Sequence, residues 1–287
     1  MKILVTGANG MLAQAVRERF AEEELILTDV NVKDTSIIKE LDITNLENVQ
    51  KFVEDCKPDV IINCAAYTAV DNAENDLEMA RRINAEGPKN LAIAAKKVGS
   101  ILVHVSTDYV FGGDLDLEKC YSEDDEKNPQ TVYGTTKLEG EEAIAQCMEE
   151  FYIFRTAWLY GLGKNFVRTM LRVGNQNNVV NVVHDQHGSP TYTVDLANII
   201  ADSLQKEIPY GIYHATNLGF TTWFDFTKKI YELADIDCEV NPVTTEEFPR
   251  PAKRPANSKL SKEKLESVGI QIPNWEDALK RYLEIEI

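Results

Sequence analysis

A glycine turn near the start of the chain, set between a short apolar run and an amphipathic stretch, constrains the fold more than any other feature. Lys2-Ile3-Leu4-Val5-Thr6 is apolar and β-branched, as suits a strand buried on both faces. Gly7 and Gly10 follow within Thr6-Gly7-Ala8-Asn9-Gly10-Met11-Leu12-Ala13, and residues 11–20 read as an amphipathic helix. Strand, glycine turn and helix make the phosphate-binding start of a dinucleotide unit. Glycines let the backbone approach a pyrophosphate, and the helix N-terminus supplies free N–H groups and a positive dipole. An ordinary βα turn looks much the same, so the rest of the chain must decide.

Further strand-like runs lie at residues 24–29, 59–63, 101–105 and 152–156, with helical patterns between them such as residues 79–97. This alternation predicts an α/β fold, a Rossmann-type doubly wound parallel sheet with crossover helices on both faces. The second half is less regular. A strand is expected at 179–183, a helix at 193–206, a proline-broken loop at 248–255 and a terminal helix at 275–283. We expect a nucleotide-binding domain over residues 1–170 and a smaller substrate-binding lobe over 171–287, interleaved with the first, with a cleft between them for a second substrate.

The residues that carry chemistry fall on one helix face and at or after strand ends. Tyr133 and Lys137, in Tyr133-Gly134-Thr135-Thr136-Lys137, share one helix face. A phenol is a poor acid at neutral pH, and an ammonium nearby favours phenolate, so the pair could trade a proton with a carbonyl oxygen. Asp29 ends the second strand, where a carboxylate can hold adenosine ribose hydroxyls and repel a 2′-phosphate. No arginine follows directly, which favours NADH while leaving NADPH possible; a turn cap is the plainer reading of the same aspartate. Asp42 and Ile43 lie on the loop that would pass the adenine. Ala65, Ala66 and Tyr67 follow the third strand, where small residues suit a close cofactor. In Val105-Ser106-Thr107-Asp108, Thr107, with Ser106 as the alternative, could bond a substrate oxygen at the carboxyl edge of the sheet.

Charge and cysteines bound the setting. The formal net charge of −17 over 287 residues argues against a nucleic-acid or membrane-surface binder. An anionic ligand would need local counter-charge, and Arg250, Lys253 and Arg254 concentrate it. The five cysteines are scattered and form no Cys-x-x-Cys pair, and no run is apolar and long enough for a bilayer span, so a cytoplasmic protein is expected. His184 and His187 have metal-like spacing, but nothing adjacent in sequence completes a site, and no metal is expected.

With Thr107, Tyr133 and Lys137 in order behind Gly7 and Gly10, the chain resembles the extended short-chain dehydrogenase/reductases. Ala65-Ala66-Tyr67-Thr68-Ala69-Val70-Asp71, Ser106-Thr107-Asp108-Tyr109-Val110-Phe111, Arg155-Thr156-Ala157-Trp158-Leu159-Tyr160-Gly161, Gly188-Ser189-Pro190-Thr191 and Arg254-Pro255-Ala256-Asn257-Ser258 resemble the dTDP-4-dehydrorhamnose reductases. The resemblance implies NAD(P)H-dependent reduction of the C4 ketone of a nucleotide-linked 4-keto-6-deoxy sugar, with dTDP-4-dehydro-L-rhamnose giving dTDP-L-rhamnose. It implies Tyr133 as proton donor, Lys137 on the nicotinamide ribose and Thr107 at the reacting oxygen. Gly10, Met11 and Leu12 would meet the pyrophosphate. Asp42 and Ile43 would meet the adenine, and Ala65, Ala66, Tyr67 and Val105 the nicotinamide side. Asp108 and Trp158 would line the sugar pocket, an indole face suiting a pyranose, with Arg254 near the substrate phosphates.

Three departures qualify the resemblance. Ala13 stands at the third glycine position, Ala157 replaces a serine, and residues 13–16 lack the glutamate of magnesium-bridged dimeric relatives. A monomer or homodimer is expected. The competing readings are a sugar-nucleotide epimerase and a non-catalytic nucleotide-binding module like the regulatory subunit of methionine adenosyltransferase. A 4,6-dehydratase is disfavoured because Tyr109 stands where those enzymes carry glutamate.

Overall fold

The computed structural model describes residues 1–32 and 34–286. Seven strands form one parallel sheet: β1 (Lys2–Thr6), β2 (Glu24–Asp29), β3 (Ile38–Glu40), β4 (Val60–Asn63), β5 (Ile101–Thr107), β6 (Phe151–Thr156) and β7 (Gly211–His214). Their order across the sheet is β7-β6-β5-β4-β1-β2-β3, so the winding reverses between β1 and β4. Ligands of such sheets bind outside the carboxyl ends at that reversal.

Alternate residues of each strand feed two cores. Ile3, Val5, Ile62 and Phe154 pack on one face with Leu12, Val16, Leu196 and Ile200. Leu4, Ile61, Leu102 and Ile153 pack on the other with Val49, Val53, Leu91 and Ile144. Burial on both faces is why the strands read as continuous apolar runs.

Two elements differ from expectation. The short edge strand β3 lies on a stretch without β-branched alternation beyond Ile37-Ile38, which left no signal above a loop. The helix expected at 79–97 is broken into Leu77–Arg81 and Gly87–Val98 by a π-turn at Arg82–Glu86. Such bulges re-aim a side chain. Here the turn directs the Asn84 amide onto Tyr67, accepting from its N–H at 2.8 Å and donating to its carbonyl at 3.2 Å.

The second half does not form a separate block. The helix Thr193–Gln205 supplies Leu196 and Ile200 to the core beneath β1, and β7 joins the main sheet beside β6. What remains apart is a third core around Tyr160, Val182, Phe226, Trp275 and Tyr282. Its strands are short pairs, of which Val179–Val183 with Glu239–Val243 is the longest.

Candidate active site

The turn after β1 is shaped for close approach. Gly7 has φ +64°, and a Cβ there would fall 2.7 Å from the Ala65 backbone, so the residues ending β4 leave room only for glycine. Gly10 starts the helix Met11–Arg19, which has no side-chain cap and no acidic residue in its first turn. That end suits an anion. Ala13, at the third glycine position, is fully buried against the sheet.

Three connected cavities run along the carboxyl edge. The first is lined by Gly7, Gly10, Asp29, Asp42, Ile43, Ala65 and Ala66. The second shares Gly10, Ala65 and Ala66 with it and adds Met11, Leu12, Val105, Thr107, Asp108, Tyr133, Lys137 and Trp158. The third shares Tyr109, Trp158 and Trp223 with the second and reaches Arg250 and Arg254. Tyr67 is tethered through its backbone to Asn84, and its phenol donates to Asp76 at 3.3 Å.

The Tyr133 helix, Val132–Cys147, is capped by the Thr131 hydroxyl, which accepts from the Gly134 N–H at 3.0 Å. It presses so closely on the turn after β5 that a Cβ on Gly134 would fall 2.2 Å from the Tyr109 carbonyl oxygen. This contact brings Tyr133 to Thr107. The Thr107 hydroxyl donates to Asp108 Oδ1 at 3.0 Å, and Ser258 Oγ donates to Asp108 Oδ2. Burial pushes the Asp108 carboxyl up to about 6, against the pull of those hydroxyls.

In this structure the Lys137 amine is directed away from the phenol. Burial pushes Tyr133 up to about 12; the Thr107 hydroxyl pulls it down and Asp108 pushes it further up. Lys137 Nζ donates to the Val105 carbonyl at 2.6 Å and meets His104 Nε2 at 3.2 Å, inside the sheet edge. Burial also draws Lys137 down to about 8, which Glu141 partly opposes.

Trp158 lines the second and third cavities. Its ring stacks on Trp223, with centroids 3.7 Å apart and planes at 14°, and its φ is +48°, rare for a bulky residue. Arg254 is already engaged, with Nη2 2.9 Å from Asp71 Oδ1 and Nη1 donating to the Ala252 carbonyl at 3.1 Å. Arg250 lies over the Phe248 ring, and Lys253 is exposed outside the cavity lining.

Asp29 combines both of its readings. Its carboxylate accepts from the Asn9 and Asn31 N–H groups at 3.1 and 2.9 Å while lining the first cavity. Sequence reasoning missed Arg82, which lines the same cavity and donates to Thr44 Oγ1 at 3.1 Å. It also missed Trp223, Ser258 and His104. Arg82 and Trp223 arrive from distant segments with no motif around them, so no local pattern marks them. Ser106 Oγ and Thr156 Oγ1, both buried beside the second cavity, have no hydrogen-bond partner among the described residues. Such orphaned groups call for a polar ligand.

A sheet reversing at β1/β4, an uncapped helix at the reversal and a Tyr/Lys pair at the carboxyl edge together define the short-chain dehydrogenase/reductase class. Residues 1–286 match the family described as the RmlD substrate binding domain. A dTDP-4-dehydrorhamnose reductase from Mycolicibacterium smegmatis is 40% identical over 97% of this chain and 84% of its own length. The crystal structure of a dTDP-4-dehydrorhamnose reductase from Clostridium acetobutylicum is 47% identical, with TM-score 0.94 over 100% of this chain and 99% of that one. The same enzyme from Bacillus anthracis, in complex with NADP, is 41% identical, with TM-score 0.91 over 100% and 99% of the two chains. This chain belongs to the dTDP-4-dehydrorhamnose reductase family.

Proposed function

We propose that the protein reduces the C4 ketone of a nucleotide-linked 4-keto-6-deoxy sugar with a nicotinamide cofactor, and that its substrate is dTDP-4-dehydro-L-rhamnose. The observation that carries this reading is the meeting of Thr107, Tyr133 and Lys137 in one cavity, with a dinucleotide groove on one side and a basic, aromatic cavity on the other. The bare helix N-terminus and the orphaned Ser106 and Thr156 hydroxyls suit a polar, anionic cofactor there.

When bound, the cofactor supplies a hydride. The chain supplies the proton and the alignment. Tyr133 gives its proton to the carbonyl oxygen, and Thr107 orients that oxygen by turning its hydroxyl proton from Asp108 onto it. Lys137, released from Val105 and His104, favours the phenolate left behind. Arg254 and Arg250 offer counter-charge to a diphosphate within an acidic protein.

We read the cofactor site as accepting both NADH and NADPH. Asp29 keeps a carboxylate at the ribose end, whereas Arg82 brings a cation to the same cavity, and the Bacillus anthracis relative is in complex with NADP. A reducing compartment such as the cytoplasm suits the five free cysteines. The test is a panel of nucleotide-linked 4-keto sugars, each incubated with NADH or NADPH and read by loss of cofactor absorbance. Turnover confined to dTDP-4-dehydro-L-rhamnose and close analogues is expected; absence of turnover across the panel would contradict the reading.

A further inference from the structure

One buried polar row beneath the site has no part in the chemistry above. Thr6, Asn63 and His104 stand opposite one another on β1, β4 and β5, and all three are at most 1% exposed. Thr6 Oγ1 donates to Asn63 Oδ1 at 2.6 Å, Asn63 Nδ2 meets His104 Nδ1 at 2.9 Å, and His104 Nε2 meets Lys137 Nζ at 3.2 Å. A histidine in the interior of a dry sheet costs stability unless its nitrogens are matched.

The direction of each bond can be read outward from the backbone. The Ala65 N–H donates to Asn63 Oδ1 at 3.1 Å, and a peptide N–H can only donate. The atom it meets is therefore the amide oxygen, and the amide nitrogen faces His104. An amide nitrogen only donates, so His104 Nδ1 accepts. A neutral imidazole that accepts at Nδ1 carries its proton on Nε2, aimed at Lys137. An ammonium also only donates, so two donors would meet there. The contact is a hydrogen bond only when the lysine nitrogen offers a lone pair.

We propose that Asn63 fixes the His104 proton on Nε2, and that His104 thereby holds the Lys137 nitrogen as an acceptor whenever that amine is unprotonated. His104 is then a positioning residue for Lys137. Protonating the lysine, with a proton taken up from solvent, requires that its nitrogen leave His104, and the phenolate formed at Tyr133 is where an ammonium would be drawn. The charge and the position of Lys137 are thus linked. This rests on the reading of Lys137 as the partner of Tyr133.

The surroundings are consistent with the linkage. His104 of β5 touches Lys137, Glu141 of its own helix acts on it, and Tyr133, Asp108 from the turn after β5 and Cys64 from the end of β4 line the same cavity. Glu141 is the one group raising the lysine, and its carboxylate is clasped by the fully buried Arg155 of β6, at 2.7 Å to Nη2. His104 stays neutral, because burial lowers it, and an ammonium on Lys137 would lower it further.

The test is nuclear magnetic resonance on the whole protein. Imidazole 15N shifts report the tautomer, the four histidines being separated by substituting His184, His187 and His214 one at a time. The Lys137 13Cε shift reports its titration. In the wild-type protein His104 should show a protonated Nε2 and a bare Nδ1; the opposite tautomer would overturn the proposal. Asn63→Asp leaves only acceptors toward His104, so the proton should move to Nδ1. Nε2 can then accept from an ammonium, and the Lys137 midpoint should rise by about one unit or more. A reversed tautomer with an unmoved midpoint would refute the linkage. So would a raised midpoint with the tautomer unchanged, since the new carboxylate would then act directly. Should Asn63→Asp fail to fold, the wild-type tautomer decides alone. Neither readout needs turnover, so a protein that reduces no 4-keto sugar can still pass or fail this test.

Discussion

The nucleotide-binding sheet and the aromatic lobe beside it solve the same problem by different means. In the sheet, position comes from repetition: parallel strands in register put Thr6, Asn63 and His104 in one row and Thr107 at its edge. In the lobe, short strand pairs are supplemented by individual contacts such as the Trp158–Trp223 stack, and the Arg254–Asp71 pair ties the lobe to the first half of the chain. A repeating scaffold suits a cofactor shared by many enzymes. A patchwork of single contacts suits one particular sugar nucleotide. Substitutions in the sheet should therefore disturb turnover, and substitutions in the lobe should disturb substrate affinity.

The largest expected effect lies at the sheet edge. Tyr133→Phe should lower kcat by roughly 10²–10⁴-fold, the usual contribution of a positioned acid, with cofactor affinity unchanged in a titration by fluorescence. Turnover close to wild type would move the proton donor elsewhere. The next effect tests the lobe. Arg254→Gln should raise the sugar-nucleotide KM by about tenfold and leave kcat and the cofactor KM in place. The expectation sits at the low end for a charge-assisted bond because Asp71 already neutralises part of the guanidinium. A fall in kcat with unchanged KM would break the division between sheet and lobe.

Smaller effects sharpen it. Asp29→Asn keeps an oxygen for the Asn9 and Asn31 N–H groups and removes the charge. The kcat/KM ratio of NADPH to NADH should rise by up to about fivefold, since exposed charge pairs are worth about 1 kcal/mol or less. An unchanged ratio would mean that the carboxylate serves the turn alone. Lys253→Gln should change the substrate KM by no more than about twofold, the side chain being exposed outside the cavity. A larger change would return Lys253 to the substrate site.

Legibility in the sequence divided elements from the contacts between them. The strand at residues 24–29 and the one at 179–183 were readable to the residue, because β-branched and apolar runs bounded by polar residues have few alternatives. The helix holding Tyr133 was readable from the spacing of its pair. The partners of those residues were not. The helical register places Lys137 on the Tyr133 face, but burial and the nearby Val105 carbonyl decide where the amine points. Trp223 reaches Trp158 from 65 residues away along the chain, and Ser258 reaches Asp108 across 150. The π-turn at Arg82–Glu86 lies in an alanine- and glutamate-rich stretch that reads as unbroken helix, and its Asn84 bonds Tyr67, a partner 17 residues away that no local pattern marks.

The central claim is that the sheet edge delivers a hydride to C4 of a keto sugar while Tyr133 protonates its oxygen. Deuterium transfer tests it most directly. NADPH carrying deuterium at either face of the nicotinamide C4 is incubated with the protein and dTDP-4-dehydro-L-rhamnose, and the product is read by proton and deuterium resonance. The account predicts dTDP-L-rhamnose with one deuterium at C4, delivered from one face of the cofactor only. Deuterium absent from C4 with both labelled forms of the cofactor would contradict it.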